Sequence, residues 1–198
     1  WLDTVSGVLQ AWYGGNEAGH AITDVIFGHT NPSGKLPVTF PVHNEDNPAF
    51  LNFRSEMGRC LYGEDVYVGY RFYEKTNKRP LFSFGYGLSY STFRLGTVKV
   101  REEVHENDID LIVEAEVSNT SGRDGAEVIQ LYVRQQNPSI NRPPKELKGF
   151  VKVVVPSHGK TKCTTTIKRA MAASLWDEVT DKWIMEKGKY DLLAGFSS

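Results

Sequence analysis

With 198 residues, 40% of them hydrophobic and 24% charged, and a net charge of −1, the chain has an ordinary globular composition and room for one large or two small cores. The near-neutral balance and the lack of any dense Lys/Arg run leave no cationic footprint for phosphates, so nucleic acid is not an expected partner. No apolar stretch approaches the ~18 residues of a membrane span and no basic-then-apolar leader opens the chain, so no membrane association is expected.

The first elements read as strand, helix, strand. Val8–Tyr13 is a short, largely apolar run of the kind that forms a strand covered on both faces, and Gly14-Gly15 breaks it. Asn16 is the expected N-cap and Glu17 suits the positive helix end. Ala18, Ala21, Ile22, Val25 and Ile26 then trace one helical stripe before Gly28. A glycine pair at a strand-to-helix turn raises the question of phosphate binding. Neither G-x-G-x-x-G nor a Walker Lys-Ser/Thr follows, however, and Glu17 puts negative charge where phosphate would sit. Asn31-Pro32-Ser33-Gly34 is turn chemistry, and Leu36–Pro41 reads as a strand near a sheet edge, where Pro37 and Pro41 are tolerated. Glu64-Asp65 reads as a solvated turn before a strand at Tyr67.

The run Pro80–Tyr90 mixes aromatics with Gly85 and Gly87, too costly a combination for a solvated linker. It reads as an interdomain clamp, with at least two of Phe82, Phe84, Tyr86 and Tyr90 mostly buried. The division is accordingly placed so that residues 1–94 form an α/β portion with this connecting segment and residues 95–198 a second domain. In the latter, Ile109, Leu111, Val113, Ala115 and Val117 alternate with Asp110, Ile112, Glu114 and Glu116, the period of a half-buried strand. Further strands are expected over Ala126–Arg134, Leu147–Val155, Thr161–Lys168 and Lys189–Ala194, separated by Asn-Pro, Pro-Pro, His-Gly and Lys-Gly breaks. Roughly seven short strands in this length predict an immunoglobulin-like or fibronectin III-like sandwich, here without a Cys-Trp-Cys disulfide pattern.

Cys60 and Cys163 lie on opposite sides of the expected boundary with no CxxC spacing, and both read as free thiols, Cys163 on the inward face of its strand. His20, His29, His43, His105 and His158 are scattered, so neither a metal nor a cofactor is expected. Asn119-Thr120-Ser121 is a glycosylation sequon and favours secretion weakly. The chain opens on Trp1 rather than Met, so a start within a longer polypeptide is expected.

Several of these runs together resemble the C-terminal part of glycoside hydrolase family 3 β-glucosidases of the fungal type. They are Trp12-Tyr13-Gly14-Gly15-Asn16-Glu17-Ala18-Gly19, Ala21–Gly28, Asn31–Pro37, Tyr67–Tyr73, Pro80–Tyr90, Gly125–Val133 and Lys145–Phe150, all in the family order. The resemblance implies an end of an α/β sandwich domain followed by a fibronectin III-like domain. It further implies a parent enzyme whose upstream (β/α)8 barrel and α/β domain are the partners of this chain and which hydrolyses β-glucosides with retention. It places the aspartate nucleophile and the glutamate acid/base upstream of Trp1.

No catalytic residue is therefore expected within the chain, and its substrate-binding residues are unknown. Retention needs two carboxyl groups about 5–5.5 Å apart around the anomeric carbon. Glu17, Asp24, Glu64 and Asp65 are the local carboxylates, but none matches a family catalytic motif. Trp176 and Trp183, flanking Asp177–Lys182, are the candidate carbohydrate contacts, because amphipathic indoles stack on sugar faces and also seal the edges of small sandwiches. Two functions follow as expectations: the supporting C-terminal portion of a β-glucosidase, inactive alone, or a non-catalytic module binding polysaccharide, lignin or protein.

Overall fold

The computed structural model describes residues 1–106 and 108–198. Eight strands follow one another in the second half: β1 (Phe93–Val104), β2 (Ile109–Asn119), β3 (Gly125–Gln135), β4 (Glu146–Val155), β5 (Lys160–Lys168), β6 (Ser174–Asp177), β7 (Lys182–Met185) and β8 (Tyr190–Gly195). Two three-stranded antiparallel sheets, ordered β1-β2-β5 and β4-β3-β8, face each other, and β6-β7 is a separate hairpin. The period-two pattern explains the core. Val113, Ala115 and Val117 from β2 meet Ile129, Leu131 and Val133 from β3, Val153 and Val155 from β4, and Ile167 from β5. Each Val, Leu or Ile side chain taken fully from water contributes about 1.5–3 kcal/mol. Thr161, Cys163, Thr165 and Ile167 share the inner face of β5 as their spacing predicts, and burial pushes the Cys163 thiol up.

The first half is built differently. Helix α1 (Ala18–Ile26) buries no residue, and no residue before Tyr70 is buried. Val8–Tyr13 is not a strand: among the described residues it has no pairing partner, and Val8, Leu9, Trp12 and Tyr13 are exposed. A strand covered on both faces needs neighbouring strands and covering helices, and this chain supplies neither at that position. Asn16 does not cap α1. Gly14 and Gly15 lead into a 3-10 turn over Gly15–Glu17, and Glu17 is the N-cap residue without a side-chain hydrogen bond.

Leu36–Pro41 does run alongside the aromatic segment, though without a regular ladder. The Leu36 N–H donates to the Tyr86 carbonyl at 2.9 Å, the Gly85 N–H to Leu36 at 2.7 Å and the Phe40 N–H to Phe82 at 2.9 Å. Pro37 and Pro41 have no N–H to extend it. The strand expected at Tyr67 is instead helix α2 (Tyr70–Lys75), entered through Gly69 at φ 53, with Tyr70 and Tyr73 buried one turn apart. A last short helix, α3 (Arg169–Ala173), closes one end of the sandwich with Ala172 and Ala173.

Asn119 is 2% exposed, and its amide donates to the carbonyls of Arg123 at 2.7 Å and Val155 at 3.2 Å. The sequon therefore reports packing rather than a glycan acceptor. Expressed in a glycosylating host, the chain is expected to carry no glycan at Asn119, whereas Asn119→Ala is expected to cost about 1–3 kcal/mol by removing the buried bond to the Val155 carbonyl and the one to the Arg123 carbonyl, which keeps only Ser91 Oγ. Peptide mass mapping and a urea melt check the two outcomes.

Candidate functional site

The junction between the two halves is made from residues that the sequence presents as a turn, a strand end and the aromatic run. Asn31 uses its whole amide. Its Nδ2 donates to Ser91 Oγ and to the Asp124 carbonyl, both at 2.8 Å, while its Oδ1 accepts from Ser89 Oγ and the Tyr90 N–H, both at 2.9 Å. Lys35 Nζ lies 2.7 Å from Glu127 Oε1 and donates to the Gly87 carbonyl at 2.8 Å, with only 12% and 7% of the two side chains exposed. Arg123 donates to the Gly28 carbonyl at 2.6 Å and lies over the Tyr90 ring. Gln130 donates to the carbonyls of Gly85 at 3.1 Å and Phe196 at 2.9 Å and accepts from the Tyr132 hydroxyl at 2.6 Å.

Tyr70 sits between the Phe84 and Tyr132 rings, 5.2 and 5.7 Å from their centroids, and its oxygen accepts the Leu147 N–H at 2.7 Å. Two of the four rings of the aromatic run, Phe82 and Phe84, are withdrawn from water over most of their surface, as expected, while Tyr86 and Tyr90 remain 38% and 48% exposed. Hydrogen bonds and close backbone approach do more here than ring burial.

Beside Tyr70, Glu146 is held by Arg142 at 2.9 Å, Arg71 at 3.4 Å and Lys148 at 3.7 Å. Burial alone would raise the Glu146 carboxyl, but the Arg142 hydrogen bond and the Lys148, Arg71 and Arg142 charges outweigh it, and its pKa lies below the ordinary 4.5. A depressed carboxyl contributes stability that is complete above the unfolded-state value and is lost as pH falls through the folded one. Acid titration below about pH 4.5 is therefore expected to loosen the α2–β4 contact in the wild type, and Glu146→Gln to flatten that limb of the stability curve.

The four local carboxylates do not converge. Glu17 pairs with His20 at 2.8 Å on the open surface of the α1 entry, and Asp24 is exposed on α1. Glu64 accepts from the Asn52 amide at 3.4 Å, and Asp65 occupies a turn at φ 53. Among the described residues no group of three or more His, Cys, Asp or Glu could hold a metal ion.

Trp176 and Trp183 are direct cross-strand partners in the β6-β7 hairpin, with centroids 5.5 Å apart and planes at 72°. Their register with Ser174↔Met185 places Trp176, Trp183 and Met185 on one side of the ribbon, while Leu175 is buried on the other. Both indoles are open, Trp176 at 43% and Trp183 at 69%. Asp177 at the turn accepts from Thr180 Oγ1 and the Val179 N–H, and these bonds hold its carboxyl below its usual range.

The structure is thus a fibronectin III-like sandwich that follows the end of an α/β unit and meets it through a largely polar junction. Residues 1–90 match the Glycosyl hydrolase family 3 C-terminal domain and residues 127–198 match the Fibronectin type III-like domain. The chain belongs to glycoside hydrolase family 3, as its C-terminal region. It is 47% identical over 194 residues to a probable beta-glucosidase I of Aspergillus niger, covering 96% of this chain and 24% of that protein. It is 50% identical over 196 residues to a probable beta-glucosidase J of Aspergillus fumigatus, covering 96% and 23%. The crystal structure of the Kluyveromyces marxianus beta-glucosidase in complex with glucose superposes over 100% of this chain and 23% of its own, with TM-score 0.94 and 44% identity. The chain thus spans about a quarter of the length of the curated relatives it matches.

Proposed function

We propose that the chain is the supporting C-terminal portion of a β-glucosidase that removes terminal β-D-glucosyl residues with retention, and that it is not catalytic by itself. One observation carries the reading. The sandwich closes its own core, whereas residues 1–69 bury nothing and expose Val8, Leu9, Trp12, Ile26 and Phe27, an apolar surface that a stable unit covers. The β-glucosidases that it resembles are several-fold longer. In this reading an upstream barrel and the rest of an α/β domain cover that surface and bring the nucleophile and acid/base, and β-glucosides are met only through the parent enzyme. Division into a 1–94 portion and a 95–198 sandwich belongs to the same proposal, although β1 already begins at Phe93.

An aryl β-glucoside assay tests it. The isolated chain is expected to give no turnover, and a full-length enzyme carrying this sequence is expected to release glucose with retained anomeric configuration. Turnover by the isolated chain, abolished by replacing one of its own carboxylates, would sink the proposal.

The Trp176–Trp183 ribbon favours a second reading, in which the sandwich also contacts polysaccharide. An open indole held edge-to-face by its neighbour presents a fixed apolar plate, and Asp177 supplies acceptors beside it. Retention of the chain on insoluble β-glucan, lost in Trp183→Ala without a change in melting temperature, is the expected result. Equal retention of both proteins would leave the indoles as a hairpin staple.

A further inference from the structure

Residues 47–66 project from the α/β portion as an arm. Its base is fixed, since the Tyr73 hydroxyl donates to the Asp46 carbonyl at 3.0 Å and Lys78 pairs with the Asp46 carboxylate. Beyond that base, every hydrogen bond described for residues 48–65 stays within the arm or its immediate flanks, including the Phe50 N–H to Asn47 and the Asn52 amide to Glu64. The tip is a two-residue hairpin in which Glu56 and Arg59 exchange backbone hydrogen bonds at 3.0 and 2.9 Å around Met57 and Gly58, at φ 51 and 76. Such turns are rigid and favour glycine or asparagine at both positions.

Methionine in the left-handed region is unfavourable, and Met57 is 100% exposed, so no contact within the chain compensates it. Leu51 and Phe53 are 90% and 83% exposed, and with Phe50 and Leu61 they line a concave face of about 920 Å³. Arg54 and Arg59 flank this face, both exposed, and no ion pair among the described residues includes either. The arm is ordered by its own turns yet gives its large apolar groups and two cations nothing to bind.

Resting on the proposed role as one portion of a larger family 3 enzyme, we infer that residues 47–66 are an anchor arm that seats Phe53 and Met57 in an apolar, carboxylate-rimmed cleft of the parent polypeptide outside this chain. The greater length of the relatives supplies the occupant, and the unpaired guanidiniums specify the sign of its rim. A second copy fits less well, because a symmetric pairing of arms would bring Arg54 and Arg59 of one copy towards the same cations of the other.

Hydrogen exchange read by mass spectrometry, on the 198-residue chain and on a full-length enzyme containing it, tests the arm. Residues 50–62 are expected to exchange at least about tenfold more slowly in the full-length protein, and Phe53→Ser/Met57→Ser is expected to abolish that protection while leaving the melting temperature of the isolated chain unchanged. Arg54→Glu/Arg59→Glu is expected to accelerate exchange at low salt, with less effect at high salt. Equal exchange in the two proteins would overturn the inference. So would a melting shift of the isolated chain in the serine variant, or protection of the arm in a dimer of the isolated chain. β-Glucosidase turnover is followed on the same full-length preparations: its absence strikes the proposed enzymatic role, while the exchange data still decide the arm.

Discussion

Glu127→Ala is expected to destabilise the chain by about 3–5 kcal/mol, because it leaves the Lys35 ammonium buried without its counter-charge. The pair spans the junction at 2.7 Å with both side chains largely withdrawn from water, so solvent screens it little. Removing Glu127 leaves Lys35 only the Gly87 carbonyl at 2.8 Å. A carbonyl satisfies one ammonium proton but does not neutralise the charge. Lys35→Met/Glu127→Leu is expected to recover most of the loss, since replacing both members of a buried pair by apolar groups is often near neutral. Denaturant midpoints at unchanged m-value measure the effect. If the single and double variants lose the same amount, side-chain volume rather than charge pairing holds the junction.

That pair also marks where the sequence was readable. Glu127 lies in phase with Ile129, Leu131 and Val133, so a carboxylate on a core face announces the need for a partner. Nothing local announces that the partner is Lys35, which sits in an Asn-Pro-Ser-Gly-Lys turn, a composition shared by any solvated loop. Strands β2 to β5 and β8 were legible because alternation is a local signal and their partners all lie within the chain. Val8–Tyr13 failed for the opposite reason: its apolar run reads as a covered strand, but among the described residues no strand or helix covers it, and burial rather than propensity decides such a run. A strand was expected at Tyr67, although Tyr70 and Tyr73 at i and i+3 after Gly69 already carried the helical spacing. The Trp176/Trp183 hairpin was visible as two indoles around a polar turn. The arm tip was not, because Glu56-Met57-Gly58-Arg59 lacks the asparagine or aspartate that usually signals such a turn.

Gly85→Ala and Gly87→Ala are expected to open the junction for two different reasons. At position 87 a Cβ would collide with the Gly34 carbonyl oxygen and lie 3.1 Å from Lys35 Cδ. The first of these is backbone, so the whole 31–35 turn has to move, and with it both the Asn31 network and the Lys35 contact. Overpacking of this kind costs about 1–3 kcal/mol before the lost hydrogen bonds are counted. At position 85 the backbone has φ 77, and the Cβ would overlap the Gln130 amide, which is itself pinned by Gly85, Phe196 and Tyr132. Left-handed strain adds about 1–2 kcal/mol to the steric cost there. Gly19→Ala is the control: within α1, with nothing inside 4 Å of its added Cβ, it is expected to stabilise by about 0.5–1 kcal/mol. Urea midpoints for the three variants give the order Gly19→Ala above wild type, with both junction variants well below it. A junction that tolerates Gly87→Ala without loss would mean that the Pro80–Tyr90 segment is free to move away from the Asn31 turn, and the clamp would then have to rest on Tyr70, Phe84 and Tyr132 alone.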